Sequence, residues 1–332
     1  MINRRLAFIL VSIVVSALSL ALILQVAPIG DVIQSMRTAD PFYLLLAFAC
    51  VAVALLTRGI RWWGLLNRRL SLLDATHMVN VMFLGNQLPL RLGEVARGVL
   101  ATRRGVPLVT SGTSIVVERL IDMLTLVLVI AATVSNMPAA PAELTDRASL
   151  FGALALFAFV ALLLFAHAPG FANRLLEKLL KIAPALERIP LRTILGQLLD
   201  GLQPLTEMRT LIFTAVWTVI AWGAAFVTLY FTHLALGIEV NYAISLPLGI
   251  SLTSLSIALP VSVAALGPFE VAILVTGQLV GMSDVDAIAL GFLLHGINVI
   301  SYAVWGTVGL LALGASPATA LAADDEHSTD GA

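Results

Sequence analysis

The chain has 332 residues, of which 59% are hydrophobic and only 12% charged, with a mean hydropathy of +0.99 and a formal net charge of -1. These values exclude a soluble globular domain and leave no basic footprint for nucleic acid. The lone Cys50 lies inside an apolar run, which excludes an internal disulfide and argues against a metal cluster.

Arg4 and Arg5 precede an apolar run from Leu6 to Ala27 that is longer than a signal-peptide core and lacks a clear cleavage site. It reads as an uncleaved first transmembrane helix over residues 5–27. Pro28, Gly30, Asp31, Arg37 and Asp40 then mark a short loop. A second span starts after Pro41 and ends near Leu56, and behind it Arg58, Arg61, Arg68 and Arg69 flank Trp62 and Trp63. Arginines beside tryptophans read as a cytoplasmic, interfacial span end.

From Leu72 to Gln87 the pattern is helical, but about 16 residues at 1.5 Å each reach only about 24 Å, and Asp74, His77 and Asn80 interrupt them. After Pro89 a second short helix runs from Gly93 to Thr102 and ends at Arg103 and Arg104. A re-entrant hairpin over about 72–104, entering from the cytoplasm with its tip at Leu88 to Gly93, accounts for both. A kinked spanning helix would instead place Arg103 and Arg104 outside, against the charge rule. Between the arms, Gly85 to Arg97 gathers Asn86, Gln87, Arg91, Glu94 and Arg97 around one Pro and two Gly. Such a segment persists at membrane depth only when shielded by protein or lining a water-filled cavity.

The span from Pro107 to Val134 carries Glu118, Arg119 and Asp122, and its two carboxylates share a face. An outer loop follows, then a span from about Ser149 to His167. Residues 169–209 are the one long hydrophilic stretch. Leucines at 175, 176, 179 and 180, then 195, 198, 199 and 202, recur at helical spacing. They predict two amphipathic helices, either lying at the cytoplasmic interface or forming a solvated linker pair. Leu211 to Leu236 is a further span. A second Pro-broken hairpin over about 242–281 places Pro260 and Gly267 between Tyr242–Leu259 and Phe269–Val280, with Glu270 on the second arm. The last span, from about Val285 to Leu313, holds His295, Asn298, Ser301 and Tyr302, and the tail from Ala315 to residue 332 reads as disordered.

Shifting the sequence by 176 residues superposes Glu94-Val95-Ala96 on Glu270-Val271-Ala272, Arg119 on His295 and Asp122 on Asn298. The predicted fold is an all-α polytopic membrane protein built as an inverted repeat, residues 1–148 and 149–314. Each half has three spanning helices plus one re-entrant hairpin. With both termini cytoplasmic, only Arg37 and Arg147 of the 19 Lys and Arg residues fall in outer loops, as the positive-inside rule asks. Repeats with discontinuous helices are a transporter architecture, by analogy of fold.

Each ionised group near the bilayer centre costs about 2.5 to 3.5 kcal/mol on insertion scales. Arg91, Glu94, Glu118, Arg119, Asp122 and Glu270 are therefore expected to be paired or hydrated, with Arg91 or Arg119 pairing to Glu94, Glu118 or Asp122. They read either as structural ion pairs or as the lining of a cavity, and the number of charges favours the cavity. Asn86, Gln87, Arg97, His295 and Asn298 complete the candidate polar set. An arginine at a broken-helix tip suits a phosphate or carboxylate, best supplied by a lipid head group. Glu94 and Glu270 offer a proton or cation site for coupling. The five His residues are scattered, without zinc-protease, nucleophile-elbow or phosphate-loop spacing, so neither an enzyme nor a cofactor or metal site is expected.

Arg58-Gly-Ile-Arg-Trp62, Gly85 to Glu94 with Arg97, Val117 to Asp122, and Pro260 followed by Gly267-Pro268-Phe269-Glu270 carry a resemblance. Over nearly its whole length the chain resembles the lysylphosphatidylglycerol synthase transmembrane-region family of flippase-like integral membrane proteins. The resemblance implies that Arg91, Glu94, Glu118, Arg119, Asp122 and Glu270 form the functional polar set. It further implies a stand-alone member without the aminoacyl-transferase domain, of the kind associated with hopanoids and isoprenoid-linked sugars. The expectation is a lipid transporter in a bacterial or archaeal cytoplasmic (inner) membrane. Its alternatives are a scaffold or regulator of an envelope enzyme, acting alone or as a homo-oligomer, and an intramembrane lipid transferase.

Overall fold

The computed structural model describes residues 4–88, 92–137, 142–182, 190–258 and 263–316, and every regular element among them is helical. Helix α1 (Arg4–Val26) breaks at Pro28, and α2 (Ile29–Arg37) leaves at 86° to it. Residues 29–37 are thus a helix and not the expected loop. The reason is tertiary: Val32 is buried with Ile288 and Ala289, and Ser35 donates to Asp286 at 3.3 Å.

Asp40 caps α3 (Pro41–Leu65) by accepting from the Phe42 amide at 2.8 Å, with Pro41 preset for the first turn. This helix runs on to Leu65, past the expected end near Leu56. Arg58, Arg61 and Trp62 therefore lie inside the helix, where Arg61 and Trp62 are satisfied by protein partners. Past the helix end, Arg68 lies 4.9 Å over Trp63 and the Trp63 indole donates to Leu70 O at 2.9 Å.

Two short helices follow, α4 (Leu72–Gly85) and α5 (Gly93–Arg103), the first capped by Ser71. Their backbones nearly touch. A Cβ on Gly93 would lie 2.0 Å from Met82 O, so only glycine closes this hairpin. Next come α6 (Leu108–Ser135), α7 (Ala142–His167), α8 (Pro169–Ile182), α9 (Leu191–Leu202) and α10 (Met208–Ala235). The chain ends with the short α11 (Tyr242–Ala258) and α12 (Pro268–Leu279) and the long α13 (Asp284–Leu313). Both helices expected in 169–209 are present, and residues 317–332, most of the expected disordered tail, lie outside the described residues.

This is an integral membrane protein. Among the described residues four helices are long and apolar enough to cross a bilayer, 41–65, 145–167, 208–235 and 284–313, and α1 with α2 makes a fifth if the bent pair is one span. At 28 residues α6 has the length, but Glu118, Arg119 and Asp122 interrupt its apolar run. Exposed Leu45, Phe157, Val219 and Leu311 give the outer surface the apolar character that lipid demands.

Packing places the functional region. The long α3 lies against α10, α4 packs on both α5 and α13, and α11 packs on both α12 and α6. Each short pair has its own core. Trp62, Met78, Met82 and Leu100 gather around the first, and Leu229, Phe269, Ile273, Leu290 and Leu294 around the second.

Candidate functional site

Glu118 and Asp122 are separated by one turn of α6, so both carboxylates point at the same neighbour. That neighbour is Arg61 on α3, which is fully buried. Its Nη2 donates to Glu118 Oε1 at 2.8 Å, its Nη1 donates to Asp122 Oδ1 at 2.7 Å, and a weaker bond reaches Thr218 Oγ1 of α10 at 3.3 Å. Arg97, also fully buried, approaches the other Glu118 oxygen with Nη1 at 2.7 Å and donates to Glu94 Oε2 from Nη2 at 3.0 Å. Its guanidinium lies 4.7 Å over the Trp62 ring, whose indole N–H is fixed by Ser114 Oγ at 3.0 Å. An aromatic face and two carboxylates thus offset the desolvation of a cation that would otherwise cost several kcal/mol (about).

Above this floor the charges become accessible. Arg119, whose side chain is 40% exposed, sits 3.2 Å from Glu94 Oε1 and 3.8 Å from Asp122 Oδ2. Arg58, at 19%, reaches Asp122 Oδ2 only at 3.8 Å and lies 5.6 Å over the Phe83 ring. Among the described residues the network holds four guanidiniums, Arg58, Arg61, Arg97 and Arg119, against three carboxylates, Glu94, Glu118 and Asp122. It therefore carries one excess positive charge, facing open space at Arg58 and Arg119.

That space is a cavity of about 320 Å³, within the range of small-molecule sites. Its polar end is formed by Arg58, Asn86, Glu94, Arg119 and Asp122, joined by Asn298 and Tyr302 of α13. Leu126, Trp222, Ile250, Phe269 and Leu294 line the apolar remainder. Elements on both sides of the chain midpoint contribute, because α4 reaches across to α13 and α11 to α6.

Of the residues expected from sequence, Asn86, Glu94, Arg119, Asp122 and Asn298 line the cavity. Arg97 and Glu118 lie beneath it as buried partners. Of the expected pairings of Arg91 or Arg119 with Glu94, Glu118 or Asp122, Arg119 meets Glu94 and Asp122, whereas Glu118 is held by Arg61 and Arg97. Gln87 does not line the cavity, because its amide turns back to donate to Phe83 O at 3.3 Å. Arg91 lies outside the described residues. Glu270 and His295 stand apart as a second buried pair, with Nδ1 of His295 2.6 Å from Glu270 Oε1. The Phe269 ring stacks on His295 and lines the cavity. Arg58 and Arg61 were not among the expected site residues; their i, i+3 spacing immediately after an apolar run was the available signal. Among the described residues no group of three or more His, Cys, Asp or Glu is placed to hold a metal ion.

A family model, described as the lysylphosphatidylglycerol synthase TM region, matches residues 9–306. No curated protein and no solved structure matches the chain.

Proposed function

We propose that the chain, which belongs to the lysylphosphatidylglycerol synthase TM-region family, moves a polar-headed lipid across the membrane through the cavity between its two short-helix pairs. The observation that carries this reading is the cavity's polarity. One end offers Arg58 and Arg119 in excess over their carboxylate partners among the described residues, and the rest is mainly apolar, with Thr228, Thr253 and Ser254 as its polar members. An anionic or zwitterionic head group fits the first and its acyl stems the second. Charge-assisted bonds to phosphate or carboxylate contribute about 1.5 to 3 kcal/mol each.

The arrangement of the halves supports the same reading. Glu94 meets Arg119 and Glu270 meets His295, both pairs 25 residues apart and offset from each other by 176. In matching fashion α4 packs on α13 while α11 packs on α6. We read this as an inverted repeat whose two re-entrant pairs approach the site from opposite faces, with both termini cytoplasmic. Such a pairing lets each half gate the site in turn. No covalent step is part of the proposal.

Reconstitution into liposomes containing a fluorescent phospholipid tests it. Wild type moves the lipid between leaflets, and Arg58→Ala and Arg119→Gln move it more slowly; equal rates for all three count against the reading. A scaffold or regulator is the second reading, favoured by the exposed basic and apolar faces of α8, where Arg174 and Lys178 alternate with Phe171, Leu175 and Leu179. Glu94→Gln and Arg119→Gln discriminate the two. Loss of function in protein that still inserts and purifies normally eliminates the scaffold.

A further inference from the structure

The second short pair is joined by a turn in an unusual conformation. Ala264 and Ala265 have φ of 51° and 62°, and Gly267 has φ of 92°. Left-handed backbone is uncommon for alanine and has to be held by its surroundings. Two side chains hold it. Glu270, in the first turn of α12, accepts from the Gly267 amide through Oε2 at 2.7 Å. His295 of α13 places Nε2 3.0 Å from the Ala264 carbonyl oxygen and Nδ1 2.6 Å from Glu270 Oε1. Gly291, one turn before His295, lets α13 approach this close, since a Cβ there would lie 3.2 Å from Glu270 Cα.

The hydrogen count of this arrangement is fixed by chemistry. A carbonyl oxygen only accepts, so the contact to Ala264 requires a hydrogen on Nε2. The contact to Glu270 requires a second hydrogen, lying between Nδ1 and Oε1, whether it resides on the imidazole or on the carboxyl. A neutral imidazole beside a carboxylate supplies only one hydrogen and can satisfy one contact, not both. The closed turn therefore contains one more proton than a neutral imidazole beside a carboxylate.

We infer that Glu270 and His295 form a proton-binding site that latches the turn 263–267: with the proton bound both contacts are made, and without it His295 keeps Glu270 and releases the Ala264 carbonyl. The bound proton leaves the pair neutral overall, which suits a site where Glu270 is fully buried. Phe269 stacks on the imidazole with its ring centroid 4.6 Å away. No other charged group contacts the pair among the described residues. The nearest face of α1 presents Ser16 and Ser19 at Gly267, and α11 has no acid or base beyond Tyr242 at its far end. On α5 and α6, Glu94, Arg119 and Asp122 stand across the cavity wall formed by Phe269 and Leu294. The corresponding pair in the first half, Glu94 and Arg119, has no such switch, because a guanidinium does not give up its proton.

Hydrogen exchange of the full chain in lipid nanodiscs reads the latch directly, followed on peptides covering 263–267 and corrected for intrinsic pH dependence. As pH is raised across the range in which the protein stays folded, the wild-type turn is expected to exchange about tenfold faster at the alkaline end, the effect of about one lost hydrogen bond. In Glu270→Gln the amide nitrogen donates to Nδ1 and the amide oxygen accepts from Gly267, so a neutral His295 holds both contacts and exchange stays flat. A flat wild-type profile, or a step that survives in Glu270→Gln, overturns the inference. Nitrogen-15 spectra of histidine-labelled wild type provide a check that needs no variant at Glu270. Nε2 of His295 should lose its hydrogen over the same pH interval, and an Nε2 that keeps it throughout overturns the latch. Neither measurement involves lipid movement, so the latch and the transport reading fail separately.

Discussion

Arg61 and Glu118 meet at 2.8 Å with both side chains withdrawn from solvent, and the same guanidinium reaches Asp122 at 2.7 Å. One fork from α3 thereby hydrogen-bonds two carboxylates of α6. The planar geometry matters, because lysine presents a single point charge and cannot bind both acids with paired bonds. Arg61→Met leaves two buried acids short of a partner and is expected to destabilise by about 3 to 5 kcal/mol. Arg61→Lys should lie between it and wild type. Thermal unfolding in detergent, following tryptophan fluorescence, orders the three proteins.

Arg58 differs from Arg61 in being partly exposed and only loosely paired, at 3.8 Å from Asp122. Its removal should leave the fold intact and weaken head-group binding by about 10- to 100-fold, the effect of one charge-assisted bond. Lipid-binding affinity of Arg58→Ala, measured beside its melting temperature, checks both halves of the statement. A large loss of stability would instead make Arg58 structural.

The contact between α4 and α13 depends on two glycines. A Cβ on Gly306 would come within 2.4 Å of Leu84 Cβ, and one on Gly309 within 2.7 Å of His77 O. Gly306→Ala should cost about 1 to 3 kcal/mol through overpacking. Gly223→Ala on α10, where a Cβ meets nothing within 4 Å, should be neutral or gain about 0.5 to 1 kcal/mol of helix stability. Paired melting curves separate the packing effect from the intrinsic one.

Outside the spans, Glu177 of α8 accepts from Arg192 of α9 at 2.7 and 3.1 Å, and this hydrogen-bonded guanidinium holds its carboxyl below the usual carboxylate range. A depressed acid stabilises the folded form fully above its unfolded value, about 4.3, and the contribution fades as pH falls through the folded value. The link between α8 and α9 should therefore persist through mild acidification and loosen only in stronger acid, with little effect on global stability because the pair is exposed. Hydrogen exchange of residues 169–182 as a function of pH follows it, and Glu177→Gln should remove the acid-side step.

Much of this molecule follows from its composition along the chain. Apolar runs fix where helices form, Pro28 marks a break, and the capping residues Asp40 and Ser71 stand where helices begin. The polar break from Gly85 to Arg97 and the Glu118-Arg119-Asp122 face were legible because charge in an apolar context is costly and therefore has to be accommodated. The partners were not legible. Arg61 ends its span on a hydropathy scale, yet it continues α3 because Glu118, 57 residues on, removes the cost of its charge. Residues 29–37 read as loop by local polarity, yet they fold because α13 offers Val32 an apolar surface. His295 and Glu270, equally, were two isolated polar residues until the approach of α12 to α13 at Gly291 brought them to 2.6 Å. Sequence sets the charges and the helix lengths, both local properties. Only the tertiary structure decides which charges meet, since that depends on helix contacts between residues far apart in the chain.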